Sequence, residues 1–106
     1  MNWKTINDLV GWLDGENGRG PDEITLRLLK ISEEAGEVAQ AWIGTVGQNP
    51  RKGVTHTVND VADELVDVIV TAAVALATIT TDPAGRLDAK LSEIAALRIT
   101  AEEISR

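Results

Sequence analysis

The chain has no cysteine, no tyrosine and no phenylalanine, and only one histidine. Without cysteine, neither a disulfide nor a thiolate metal site can hold it together. One histidine, His56, excludes a multi-histidine metal centre within a single chain. Long hydrophobic runs are missing too. The most apolar stretch, Val68 to Ile79, contains threonines and falls short of the roughly 20 residues that span a bilayer. The start, Met1-Asn2-Trp3-Lys4, leads into an amphipathic segment and not an apolar signal region. Excess positive charge is also lacking. The net charge is −7, which argues against a nucleic-acid polymer as partner. A cytoplasmic chain with no membrane partner is the expectation. Its 106 residues suit one domain, 1–106, small enough for self-association to be a natural supplement to its core.

What is present is helical periodicity. Trp3, Ile6, Val10 and Leu13 predict a first helix over about 2–14. Gly15, Gly18, Gly20 and Pro21 then mark a mobile loop. Pro21-Asp22-Glu23 is a helix start, with acids against the positive end of the dipole. Ile24, Leu28, Ile31, Ala35, Val38 and Trp42 step by fours and threes, predicting a second helix over about 22–44. A loop with Arg51 and Lys52 follows. Thr57 and Asp60 form a capping signature before Val61, Leu65, Val68, Ala72, Leu76 and Ile79, so a third helix covers about 58–80. Its second half is apolar nearly all round, which suggests a subunit interface. Asp82-Pro83 starts a fourth helix, about 83–104, with Leu87, Leu91, Ile94, Leu97, Ala101 and Ile104 as its stripe. The fold class is all-α, four helices packed as antiparallel neighbours in a bundle-like arrangement.

The acids are distributed unusually. Glu33, Glu34 and Glu37 flank the stripe of the second helix. Asp60, Glu64, Asp67 and Thr71 form a polar line on the third, with Asp63 beside it. These acids sit in mid-helix, where the dipole does not favour them. Lys30 before Glu34 is the only basic partner at helical spacing. A solvated acidic face is the commonest origin of such a run. Here the acids adjoin the apolar stripes and so face an inter-helix groove, where unpaired like charges are costly. A divalent cation removes the cost. Oxygen ligands without histidine or cysteine select Mg²⁺, Mn²⁺ or Ca²⁺ over zinc. The calcium-binding EF-hand loop is absent, as is the Glu-x-x-His pair of di-iron bundles. Mg²⁺ shares its coordination sphere with substrate phosphates, which lets an acidic protein take an anionic substrate.

The doublet Glu34-x-x-Glu37 and Glu64-x-x-Asp67 resembles the Glu-x-x-Glu … Glu-x-x-Asp signature of the all-α NTP pyrophosphatases. The flanks Leu29-Lys30-Ile31-Ser32-Glu33 and Gly47-Gln48-Asn49-Pro50-Arg51-Lys52-Gly53 resemble the short, single-domain MazG-like proteins of that superfamily. The resemblance covers about residues 22–80. It implies a MazG-type helical fold and Mg²⁺-dependent hydrolysis of a (deoxy)nucleoside triphosphate between the α and β phosphates, with Mn²⁺ as a possible substitute. Glu34, Glu37, Glu64 and Asp67 match the family's metal ligands, and Glu33 or Glu34 its general base. It further implies a homodimer or homotetramer with a nucleotide-pool house-cleaning role.

Basic and aromatic residues should complete a phosphate and base site. Lys30 stands one turn before Glu34, Arg51 and Lys52 lie between the motifs, and Lys90 is on the last helix, where the family tends to carry a phosphate-contacting lysine. Trp12 falls off its helix's stripe and is the candidate to stack on a base, whereas Trp3 and Trp42 fall on apolar stripes and read as core or interface. Gly36, in mid-helix, leaves room for a neighbouring helix or a phosphate. The alternative function is a helical regulatory module that binds metal and nucleotide without turnover.

Overall fold

A computed structural model describes residues 1–105, with side chains described as far as Ile99. Ala101 and Ile104, the last two positions of the expected fourth stripe, therefore lie outside the described side chains. The described chain is all-helical: α1 Trp3–Asn17, α2 Pro21–Val46, α3 Val58–Ile79 and α4 Pro83–Ser105.

Each helix end has an identifiable cause. Asn2 caps α1, its Oδ1 accepting from the Thr5 amide at 3.1 Å. The helix runs three residues past its expected end at Asp14, because Gly15 only weakens an exposed helix by about 1 kcal/mol. The stop comes at Gly18, whose φ of +73° suits glycine, and whose amide donates to the Asp14 carbonyl. Pro21 opens α2, and Gly47 closes it in the left-handed conformation at φ +66°. Thr57 and Asp60 form a reciprocal capping box on α3. Asp82 accepts from the Gly85 amide at 3.0 Å to start α4.

Helices α2 and α3 form an antiparallel hairpin. Their connection folds back so that the Thr55 amide donates to the Gly44 carbonyl at 2.9 Å. The absence of a side chain at Gly44 permits this, since a Cβ there would collide with His56 and Thr55. Helix α1 lies on α3, burying Ile6 and Val10 against Ala73 and Ala77, with Trp3 and Val74 around them. The small alanines of α3 let α1 approach closely.

One polar anchor ties these three helices together. The Arg27 side chain is only 5% exposed. It donates to Asp14 Oδ1 at 2.9 Å, to Thr78 Oγ1 at 3.2 Å and to the Gly18 carbonyl at 3.2 Å. Arg19 holds the other oxygen of Asp14 at 2.7 Å and reaches the Thr78 carbonyl. The Asp14 carboxyl is accordingly held below its ordinary range, chiefly by the Arg19 hydrogen bond and also by Arg27, against some desolvation.

Two expectations need correction. Helix α4 does not lie alongside the others as a bundle member; it leaves α3 at 117° and contacts it sparsely. Its stripe, Leu87, Leu91, Ile94 and Leu97, is exposed. The bundle fails to close because Asp82-Pro83 restarts the helix after a short extended link, in a direction that carries it off the hairpin. Of the two readings of Trp42, core or interface, core fails, since Trp42 is 52% exposed. No single helix among the described residues is long and apolar enough to cross a membrane.

Replacing Arg27 with alanine leaves Asp14 and Thr78 without their shared donor at a buried position. Urea unfolding should show a loss of about 3 kcal/mol, whereas the same change at exposed Arg86 should cost under about 0.5 kcal/mol.

Candidate metal centre

The groove between α2 and α3 is built from two helical lines. On α2, Glu23, Arg27, Lys30, Glu34 and Glu37 step by 4, 3, 4 and 3. On α3, Glu64, Asp67, Thr71 and Val74 step by 3, 4 and 3. Antiparallel packing sets Glu34 and Glu37 opposite Glu64 and Asp67. Two groups of carboxylates result, Glu33–Glu34–Glu37 and Glu34–Glu64–Asp67, each with ligand oxygens within 4.8 Å of one another. Glu34 belongs to both groups. These residues, singled out from spacing and resemblance, are thus brought together by the hairpin.

The electrostatics are those of crowded like charges. Glu37 is pushed above its ordinary range by the negative charge of Glu34, then by its hydrogen bond with Glu64 and by desolvation. Glu64 Oε2 is buried with no hydrogen-bond partner. The Glu34 side chain is 13% exposed, and Lys30 Nζ approaches its Oε1 at 3.5 Å. An acceptor-only oxygen without a donor, beside a carboxylate crowded by like charge, marks a place that a hard cation fits. Every available ligand atom is a carboxylate oxygen, the donor set suited to Mg²⁺ or Mn²⁺. Glu33 is exposed at the solvent edge of the cluster.

Other expected members stand elsewhere. Asp60 is used by the capping box, and its carboxyl is held below the ordinary range first by the Thr57 amide and then by the Thr57 hydroxyl. Lys52 lines a separate cavity of about 300 Å³ with Gln40, Asn49 and His56, beyond the C-terminal end of the groove. Arg51 is exposed on the same loop. Lys90 lines a surface depression with Leu76 and Arg86. Leu76 lies nine residues beyond Asp67, about 13 Å along α3, so Lys90 does not join the acids of its own chain. Trp12 is 62% exposed on α1. A Cβ at Gly36 would meet nothing within 4 Å, so no helix of the same chain occupies the room it leaves. Arg27, Glu23 and Asn17 are site-lining residues that acid spacing does not point to. The signal for Arg27 was an arginine three residues after Ile24 and four before Ile31, inside an apolar stripe.

No family model matches the chain, and no curated protein or solved structure matches it either.

The sign of the pH dependence follows from Glu37. Its folded pKa is raised, so the folded state holds a proton that the unfolded chain releases. Stability then falls as pH rises from the ordinary value of 4.5 through the raised one. Without divalent cation, the wild type should lose more thermal stability toward neutral pH than Glu37→Gln does. Mg²⁺ should raise the melting temperature more at neutral than at acid pH, because cation and proton compete for the same oxygens. Equal stabilisation at both would contradict this.

Proposed function

We propose that the chain is a Mg²⁺-dependent nucleoside triphosphate pyrophosphohydrolase, cleaving a (d)NTP to (d)NMP and pyrophosphate. The observation that carries this reading is the four-carboxylate cluster with an orphaned Glu64 oxygen, beside Lys30 one turn away on the same helix as Glu34. The MazG-like spacing of the same acids supports it.

Glu34, Glu37, Glu64 and Asp67 would hold the cation. When bound, Mg²⁺ supplies charge neutralisation of the polyphosphate and polarisation of water. The chain's own residues do the rest. Glu33 or Glu34 accepts the proton of the attacking water. The water oxygen bonds to the α-phosphorus, the bond from that phosphorus to the bridging oxygen breaks, and pyrophosphate leaves. Lys30, now shared with Glu34, offers an ammonium to the phosphate oxygens. Arg51 and Lys52 add positive charge on the loop at the other end of the groove.

The working form is a homo-oligomer. Chains of 11.3 kDa fold alone with about 5,700 Å² of surface, whereas this one exposes 7674 Å². Its radius of gyration is 17.8 Å, against about 13 Å for a compact chain of this length. The excess of about 2,000 Å² matches one partner's share of a large obligate interface. Exposed apolar surface that could supply it includes the α4 stripe and a groove on the hairpin lined by Leu28, Ile31, Leu76 and Ile79. Light scattering should give a mass of at least two chains. Leu91→Glu with Ile94→Glu should lower it or leave the protein aggregated.

The activity test is pyrophosphate release from canonical and modified (d)NTPs. Release should require Mg²⁺ or Mn²⁺. Glu34→Gln or Glu64→Gln should reduce kcat at least about a hundredfold while far-ultraviolet circular dichroism stays unchanged. Stabilisation by nucleotide with no product would favour a binding module instead.

A further inference from the structure

The acid groove does not end at Lys30. The same line on α2 continues to Arg27 and Glu23, and the same line on α3 continues to Thr71 and Val74. Between them, walled on the third side by α1, is a cavity of about 330 Å³. Leu13, Leu26, Val70 and Val74 form apolar walls. Lys30 and Thr71 stand on the side toward Glu34 and Asp67, and Asn17, Glu23 and Arg27 lie at the far end. The volume is at the lower end of the range for small-molecule sites, and apolar walls with a few polar groups at one end are their usual makeup.

The polar end is incompletely satisfied. Arg27 is buried, yet its Nε–H has no hydrogen-bond acceptor; the nearest carboxylate oxygen, Glu23 Oε1, is 3.5 Å away. That oxygen already accepts from Asn17 Nδ2 at 3.0 Å. The Glu23 side chain is 14% exposed, and among the described residues its hydrogen bond and ion pair both fall on Oε1. From Lys30 to Glu23 is seven residues, about 10 Å along the helix, a span that a ribose and a base together fill.

We propose that this cavity holds the nucleoside of the substrate, and that Glu23 makes it prefer bases carrying an exocyclic amino group over uracil and thymine. The inference rests on the pyrophosphohydrolase reading of the neighbouring acids for the direction in which the substrate lies. Phosphates on the cation side of Lys30 place the sugar beside Thr71 and the base between Leu26 and Val74. An ionised carboxylate only accepts. Adenine, cytosine and guanine offer it an amino group. Uracil and thymine offer a single N–H between two carbonyl oxygens, which the carboxylate repels.

The test is a methyl-detected NMR titration of the full chain with adenosine, cytidine and uridine, in EDTA. A parallel arm uses inorganic tripolyphosphate with Mg²⁺. Adenosine and cytidine should shift the methyls of Leu13, Leu26, Val70 and Val74, binding at least about tenfold more tightly than uridine, the worth of one hydrogen bond to a charge. Glu23→Gln should remove that difference. Val70→Trp should abolish the nucleoside shifts and leave tripolyphosphate binding intact. Nucleosides that leave these methyls unmoved, or uridine binding as tightly as cytidine, would overturn the proposal. Tripolyphosphate binding without nucleoside binding would overturn the cavity's role alone. Nucleoside binding without tripolyphosphate binding would retain the cavity and overturn the cation-site reading.

Discussion

Four carboxylates held together by two helices are the constraint on which the rest of this structure depends. Glu34 and Glu37 on α2 meet Glu64 and Asp67 on α3 because the hairpin is antiparallel and in register. Their mutual repulsion works against that hairpin, as the raised pKa of Glu37 records. Something must hold the helices together regardless. Two devices do so, one at each end of the groove. At one end the Thr55–His56 backbone is drawn onto Gly44. At the other, Arg27 crosses from α2 to Thr78 on α3 and Asp14 on α1. The acids lie between these clamps, in a segment whose one cationic partner is Lys30 beside Glu34.

The distribution of apolar surface extends the same logic. A chain that buried its acids in a sealed core would have no access for a phosphate. This one keeps the groove open and leaves a 23-residue helix, α4, standing away from the hairpin. The core it does form is thin: Ile6, Val10, Ala41 and three alanines of α3 are its buried apolar residues among those described. Association and ligand binding are the two general ways to supplement a small core, and the proposed oligomer and cation would use the two large unsatisfied features of the molecule, its apolar faces and its crowded carboxylates.

Much of this was legible in the sequence, and what was not has physical reasons. Periodicity located all four helices, because each has a stripe at helical spacing and a recognisable cap. The convergence of Glu34, Glu37, Glu64 and Asp67 could be read from spacing plus the assumption of a hairpin. The course of α4 could not, because its stripe says that it packs and not against what. Trp42 shares that ambiguity: its place on a stripe fits core or interface, and its exposure leaves only the interface. The close approach within the chain is at Gly44, which no helical spacing singles out, because only the fold of the connecting loop brings Thr55 and His56 onto it. The C-terminal end of α1 was placed too early because Gly15 is tolerated where Gly18, with its positive φ, is required. Arg27 was overlooked because its partners, Asp14 and Thr78, are distant in sequence and lie on different helices.

The central claim is that a hard divalent cation belongs in this groove and not on the acidic surface at large. Paramagnetic broadening by substoichiometric Mn²⁺ tests it directly. The amides of Glu34, Glu37, Glu64 and Asp67 should broaden first, together with their neighbours along α2 and α3. Broadening that falls equally on the exposed acids Asp8, Asp22, Asp88 and Glu93 would contradict the account.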